Sequence, residues 1–288
     1  MSESGLPEVR NSMDTSEQPT EPPMDTEPPM DTEPPMDTEP PTEPPTEQPV
    51  DTSEEQPKNA SAKVCVFDLD ETCLDILGTL GPVLQALFNR QGAYNEYFLT
   101  LTDLMVVLTG SGRYQDFAAL GAVVLEFMSA NEGIDGFSKD IPRDSWELVK
   151  MGMATARAHK DVAAGLDQLK AQGWRLFAFG NSSRASLVSQ LTNAGIFNKF
   201  DTVLSVHSVR AYKPHSVCYR FALKHEELNP HEAVMVSCRD WDLEGAKAVG
   251  MQTAFVQRHQ GFGSVFQAPD VVACDFVDLA NKLGQASQ

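Results

Sequence analysis

Two aspartates two residues apart, Asp68 and Asp70, form the most reactive pattern in the sequence. They follow the apolar run 64–67, which predicts a buried strand, so we expect both carboxylates to point into one site at the strand end. One carboxylate could attack an electrophile and form an acyl-type intermediate, while the other passes a proton to the leaving group. The pair also favours Mg²⁺, which binds oxygen ligands. A surface acidic turn is the plainer interpretation, and the apolar run argues against it.

Three more polar segments follow predicted strands. In a parallel sheet, ligands sit at the carboxyl ends of the strands. Each segment is also typical of an ordinary loop or helix cap, but four in the expected places indicate one site. The segments are Gly180-Asn181-Ser182-Ser183, Lys213-Pro214 and Ser237-Cys238-Arg239-Asp240-Trp241-Asp242.

Lys213 and Asp242 are the charged residues of these segments that fit a catalytic role. Lys213 would place a positive charge against the nucleophile or a phosphate, although a solvated lysine before a proline-started helix is common. Asp242 could hold a metal-bound water or Lys213, and an acidic residue also suits a helix N-terminus.

The elements that must position these residues alternate between short apolar strands and helices. This alternation predicts an α/β fold, a three-layer parallel sheet covered by helices on both faces. Strands are predicted at 64–67, 175–179, 202–206, 233–237 and 253–256, and helices at 160–171, 183–194, 214–226 and 241–249.

A long helical stretch interrupts the alternation directly after the first strand. We interpret residues 79–158 as an inserted helical cap, and residues 62–78 with 159–288 as the α/β core. A cap in this position is expected to close over the strand ends and exclude water.

Residues 1–61 are predicted to be a disordered acidic tail. They contain the hexamer Glu-Pro-Pro-Met-Asp-Thr three times, and proline-rich, acidic sequence cannot bury enough apolar surface to fold. Residues 1–60 hold 16 of the 41 acidic residues and 2 of the 22 basic ones, so the remaining chain is only mildly acidic. The tail is interpreted as a solvating spacer, with docking of a protein partner as the alternative.

Composition excludes several classes of function. The mildly acidic core gives no footprint for nucleic acid, and no stretch of about 18 apolar residues predicts a membrane span. The N-terminus lacks the features of a signal peptide. The five cysteines form no C-x-x-C pair, which is typical of free thiols in a reducing compartment. We expect a cytoplasmic protein, with the nucleus as an alternative, that acts on a small molecule.

Together these residues resemble the haloacid dehalogenase superfamily, in which an aspartate nucleophile, a Ser or Thr, a Lys and a carboxylate lie on a Rossmann-like core. The resemblance covers the chain from about residue 62 and is closer to the L-2-haloacid dehalogenase branch. It rests on Val66-Phe67-Asp68 with Thr72-Cys73-Leu74-Asp75, on Gly112-Arg113-Tyr114-Gln115-Asp116-Phe117, on Lys213-Pro214 with Val217-Cys218-Tyr219, and on Trp241-Asp242-Leu243-Glu244-Gly245-Ala246.

The resemblance assigns roles to single residues. It implies that Asp68 is the nucleophile, with Lys213 beside it. In a phosphatase, Asp68 and Asp70 would hold Mg²⁺ together with Asp242, and Asp240 is the alternative third acid. The resemblance also implies a homodimer formed through helices. The substrate-binding residues that it suggests are Thr72, Asn181, Ser182 and Tyr219.

Four departures from the dehalogenase pattern bear on the reaction. Asp70 stands where dehalogenases carry an aromatic residue and phosphatases an aspartate, and Leu108 stands about where dehalogenases hold an arginine for the halide. Both favour phosphoryl transfer. Gly180 replaces a phosphate-binding Ser or Thr, and Cys238 replaces the first acid of the metal site. These two argue against phosphoryl transfer.

Three hypotheses follow. The leading one is a Mg²⁺-dependent phosphatase acting on a small phosphorylated substrate. The first alternative is a metal-independent hydrolase of the 2-haloacid dehalogenase type. The second alternative is a catalytically weak interaction module whose acidic tail binds a partner.

Overall fold

The computed structural model describes residues 63–135, 144–225, 227–259 and 261–285. The predicted tail and its repeat lie outside these residues. None of the helices in the described ranges is both long and apolar enough to cross a bilayer.

The first predicted strand lies inside a six-stranded sheet in which every neighbouring pair is parallel. Its strands are β1 (Val64–Phe67), β4 (Arg175–Gly180), β5 (Thr202–Ser205), β6 (Ala233–Ser237), β7 (Gln252–Val256) and β8 (Val271–Ala273). Their order is β5-β4-β1-β6-β7-β8. Strand β1 therefore sits between β4 and β6, and the loops after these three strands meet at one edge.

Helices connect the strands and cover the sheet, so every residue of β1 and β6 is buried. This explains the continuous apolar runs, since a strand covered on both faces shows no alternation. The helices are α5 (Val162–Ala171), α6 (Arg184–Asn193), α7 (Ser216–Lys224), α8 (Asp240–Lys247) and α9 (Phe276–Gln285). The α/β prediction is confirmed, and the sequence analysis missed only β8 and α9 among these elements.

The predicted cap after the first strand is also confirmed. Its helices are α1 (Ile76–Phe88), α2 (Ala93–Gly110), α3 (Phe117–Asp135) and α4 (Ser145–Ala154). Helix α1 begins before the predicted boundary at residue 79, because the Asp75 carboxylate caps it by accepting from the Gly78 amide at 2.8 Å. A short antiparallel pair, β2 (Leu74–Asp75) and β3 (Arg157–Ala158), joins the two ends of the cap.

The cap helices leave several large apolar side chains exposed, among them Leu99, Val107, Phe127 and Met151. Isolated exposed apolar residues are normal on a protein surface. The homodimer therefore stays a prediction.

Helices α5 and α9 approach each other closely at Gly165. A Cβ atom there would lie 2.5 Å from the backbone of Phe276, at the start of α9. The Phe276 ring in turn stacks on Phe67, the last residue of β1, with the ring centroids 5.5 Å apart. Gly165 therefore supports the packing directly behind the strand that carries the reactive loop.

We predict that Gly165→Ala lowers the free energy of unfolding by about 1–3 kcal/mol, because backbone atoms must move to admit the methyl group. Urea unfolding measures the loss. The matched control is Gly110→Ala in α2, where a Cβ atom meets nothing within 4 Å and alanine should be neutral or stabilising. Equal stability of the two variants would contradict the close approach.

Candidate active site

Asp68 extends β1 into the site, since its amide still donates to the Val236 carbonyl at 2.9 Å. Its carboxylate is held from two sides. Oδ1 accepts from the Lys213 ammonium at 2.7 Å, and Oδ2 accepts from the Thr72 hydroxyl at 2.8 Å. Only 7% of Asp68 is exposed, and it lines the main cavity. The two donors fix the carboxylate at the cavity wall.

Lys213 is buried and makes three contacts through its ammonium group. Besides Asp68, it donates to the Asp242 carboxylate at 3.0 Å and to the Phe179 carbonyl at 3.3 Å. Burial by itself lowers the pKa of Lys213, but the charges of Asp242 and Asp68 outweigh burial and raise the pKa above its usual value. Lys213 is therefore a permanent cation between two carboxylates.

Asp242 is fully buried at the start of α8. One carboxylate oxygen accepts from Lys213, and the other accepts from the Tyr219 hydroxyl at 2.6 Å. Neither Asp242 nor Tyr219 lines the cavity. The geometry makes Asp242 the anchor of Lys213 and Tyr219 the anchor of Asp242, so a direct substrate contact by Tyr219 stays a prediction that the structure does not favour.

Asp70 lines the same cavity in a different environment. Its Oδ1 atom is buried and has no hydrogen-bond partner among the described residues. Burial, followed by the charge of Asp68, raises the pKa of Asp70 to about 7. The two aspartates therefore differ in environment: Asp68 has two fixed donors, and Asp70 exchanges a proton near neutral pH.

Of the remaining predicted site residues, one lines the cavity and two lie behind its wall. Asn181 lines the cavity, and its carbonyl oxygen accepts from the Lys213 amide at 3.4 Å. Thr72 lies behind Asp68 and also accepts from the Cys238 amide at 3.0 Å. Ser182 is buried, and its carbonyl accepts from the Ser205 hydroxyl at 2.7 Å. Thr72 and Ser182 do not line the cavity, so their contact with a substrate stays a prediction.

Two of the noted departures have structural explanations. Gly180 leaves room for α6, because a Cβ atom there would lie 2.6 Å from Leu187. Leu108 packs against the hydrophobic core and does not line the cavity. The inference drawn from Leu108 therefore stays a prediction, which the packing of Leu108 does not support.

The cavity lies between the cap and the strand ends and has a volume of about 450 Å³, which suits a small molecule. The cap side is largely aromatic and apolar, with Tyr94 and Phe98 from α2. The core side carries Asp68, Asp70 and Arg239. The cavity wall also carries the charged side chains of Glu71, Asp103, Asp240 and Arg258, so the site is strongly charged beneath a largely apolar roof.

The residues predicted for magnesium do not fit that ion. The carboxylates of Asp68 and Asp242 already accept from fixed donors at both oxygens. Burial raises the pKa of the Cys238 thiol to about 12, so this residue is neutral where a metal site needs an acid. Of the three predicted ligands, only Asp70 has a buried oxygen without a hydrogen-bond partner among the described residues, whereas Mg²⁺ prefers several oxygen ligands in octahedral geometry.

Sequence reasoning missed the cap side of the cavity. Tyr94 donates to the Glu71 carboxylate across the cap–core boundary, and no sequence spacing signals such a distant pair. Arg239 and Trp241 also line the cavity. They belong to the polar segment after β6, so their position in the sequence could have identified them as site residues.

Comparisons with known proteins identify the family of this chain. The model of the haloacid dehalogenase-like hydrolase family matches residues 62–250. An (S)-2-haloacid dehalogenase of Pseudomonas sp. strain YL is 33% identical over 216 residues, which cover 72% of this chain and 88% of that protein. A haloacetate dehalogenase of Moraxella sp. strain B is 32% identical over 111 residues, covering 38% of this chain and 50% of that protein.

Solved structures show the same fold. The L-2-haloacid dehalogenase of Xanthobacter autotrophicus with covalently bound chloropropionic acid has a TM-score of 0.69 at 20% identity, covering 77% of this chain and 98% of that one. The magnesium-bound putative hydrolase YfnB of Bacillus subtilis has a TM-score of 0.61 at 12% identity, covering 77% and 98%.

This chain belongs to the haloacid dehalogenase-like hydrolase family. The resemblance read from its motifs is confirmed, as is its likeness to the L-2-haloacid dehalogenases. The relatives favour the dehalogenase alternative over the leading phosphatase hypothesis.

We predict that Asp70→Asn changes stability in a pH-dependent way. The pKa of Asp70 is raised in the folded state, so between about pH 4 and pH 7 the native chain keeps a proton that the unfolded chain has lost, and the stability contribution of Asp70 falls as pH rises. The asparagine side chain of the variant does not ionise, so the stability of the variant does not fall with pH for this reason. Its stability relative to the parent should rise by about 2–4 kcal/mol from pH 4 to pH 8, as measured by urea unfolding. A constant difference would contradict the raised pKa.

We predict that Lys213→Met lowers the free energy of unfolding by about 3–5 kcal/mol, because it leaves two buried carboxylates without their cation. Thermal unfolding measures the effect. The control is Lys199→Met, whose salt bridge with Asp167 lies at the surface and should contribute less than about 1 kcal/mol. Equal losses in the two variants would mean that Lys213 does not hold the site together.

Proposed function

We propose that this chain is a metal-independent hydrolase in which Asp68 displaces a leaving group from a carbon atom of a small carboxylic acid. The observation that carries the proposal is the Lys213–Asp68–Thr72 arrangement, which presents the Asp68 carboxylate to the cavity. The donor set around it does not fit Mg²⁺. The 2-haloacids in the relatives' names suggest the substrate class.

The reaction proceeds in two steps. The Asp68 carboxylate attacks the carbon that bears the leaving group, an ester bond forms, and a halide departs with the bonding electrons. Water then attacks the Asp68 carboxyl carbon. Asp70, whose pKa lies near 7, takes a proton from that water and returns it to the departing alcohol oxygen. The Asp68 carboxyl group finally releases its own proton to solvent.

The walls of the cavity suit an acid with a short apolar body. Arg239 provides a cation for the substrate carboxylate, because guanidinium groups bind carboxylates well. Phe98 and Leu101 supply apolar surface from the cap. Lys213 stays with Asp68 through both steps and stabilises the charge that returns to its carboxylate.

A phosphatase remains the second candidate, and one observation favours it. Asp70 lines the cavity together with Asp68 and has an oxygen without a hydrogen-bond partner among the described residues, and a group with a pKa of about 7 can protonate a leaving alcohol. A halide leaving group needs no such proton.

We predict that the purified chain releases halide from (S)-2-chloropropionate at a rate that EDTA does not change. Asp68→Asn should reduce release to background because the amide is a poor nucleophile. The control is Asp167→Asn, which alters an exposed carboxylate and should retain full activity. Ion chromatography measures the halide.

A parallel assay with a panel of phosphate esters and Mg²⁺ separates the candidates. Magnesium-dependent phosphate release that Asp68→Asn abolishes, without halide release, would replace the proposal by the phosphatase. No turnover of either substrate class would favour the interaction module.

A further inference from the structure

Glu71 occupies an unusual position directly after the reactive pair. Its backbone is left-handed, with φ at 65°, and its side chain turns inward, so that only 3% of the residue is exposed. One carboxylate oxygen, Oε1, accepts from the Leu77 amide at 2.6 Å and from the Tyr94 hydroxyl at 2.5 Å. The other oxygen, Oε2, is buried without a hydrogen-bond partner among the described residues.

Two further ligand-type side chains, those of His259 and Asp75, lie beside the Glu71 carboxylate. His259, in the loop after β7, places Nε2 at 3.8 Å from Glu71 Oε2. Asp75 contributes a carboxylate oxygen, and the three ligand atoms all lie within 4.8 Å of one another. Two ligands bound at about 2.1 Å to one ion are at most about 4.2 Å apart, so small side-chain movements complete the site.

We propose that Glu71, Asp75 and His259 bind one divalent first-row transition-metal ion, at a site separate from Asp68 and Asp70. Two carboxylates and an imidazole form a mixed oxygen and nitrogen set that suits Mn²⁺ or Zn²⁺. Glu71 and His259 both line the cavity, so the ion would sit at its edge.

A simple ion pair between Glu71 and His259 does not explain the geometry. A separation of 3.8 Å is too long for a hydrogen bond, so Oε2 would remain unsatisfied. A buried carboxylate oxygen without a hydrogen-bond partner is costly. A cation bound by the three residues would give Oε2 a partner. It would also offset the negative charge of Asp75.

The proposed site joins the cap to the core. Asp75 caps the first helix of the cap through the Gly78 amide, and the Tyr94 hydroxyl on α2 holds Glu71 in place. His259 belongs to the core loop after β7. A bound ion would therefore fasten the start of the cap to that loop, beside the cavity.

The site can be tested on the full chain after EDTA treatment and gel filtration. Mn²⁺ is titrated in and free Mn²⁺ is followed by electron paramagnetic resonance, since thiols are poor ligands for this ion. We expect one strong site whose affinity falls at least about tenfold in Glu71→Gln and in His259→Ala. His207→Ala, a histidine outside the cluster, and Asp70→Asn should both retain it.

The same titration also contains the results that would overturn the site. Absence of a strong site in the parent chain, or equal binding by His259→Ala, excludes the proposal. Loss of binding in Asp70→Asn would place the ion at the reactive aspartates instead. The His259 side chain is 55% exposed, so His259→Ala should fold and decides the matter if Glu71→Gln does not. Mn²⁺ should also raise the melting temperature of the parent but not of His259→Ala.

Discussion

The buried ion pair of Lys213 with Asp68 and Asp242 is the interaction on which the site depends. It connects the ends of three chain segments, since Asp68 follows β1, Lys213 precedes α7 and Asp242 lies in the first turn of α8. Burying three charges is costly unless each has a partner. Tyr219 and Thr72 donate to the carboxylate oxygens that Lys213 does not contact, so the fold and the nucleophile are stabilised by the same contacts.

The same network accounts for the disagreement between the two chemical interpretations of the Asp68–Asp70 pair. Two nearby aspartates resemble a magnesium site when only their spacing is known. In the structure, the oxygens of Asp68 and Asp242 are taken by Lys213, Thr72 and Tyr219, and Cys238 provides no charge. Lys213 thus compensates one of the two negative charges of Asp68 and Asp242, and Thr72 and Tyr219 donate to the oxygens that Lys213 does not contact.

Much of the fold could be predicted because local signals report it. Apolar runs of four to six residues predicted the central strands. The polar segments that follow these strands predicted Asp68, Lys213 and Asp242 as site residues. The beginning of α1 was placed too late because its cap, Asp75, was assigned to the core. The contacts of Glu71 with Tyr94 and His259 could not be predicted, since they join residues far apart in sequence. The roles of Thr72 and Tyr219 needed distances, because sequence position cannot separate a residue on the cavity wall from one behind it.

The nucleophilic role of Asp68 is tested most directly by a single turnover in H₂¹⁸O, with enzyme in excess over (S)-2-chloropropionate and EDTA present. If Asp68 forms an ester and water attacks its carboxyl carbon, the label enters the peptide that contains Asp68, and the hydroxy acid product carries unlabelled oxygen from the aspartate. Label in the product and none in that peptide would show that water attacks the substrate directly. That result would contradict a nucleophilic Asp68.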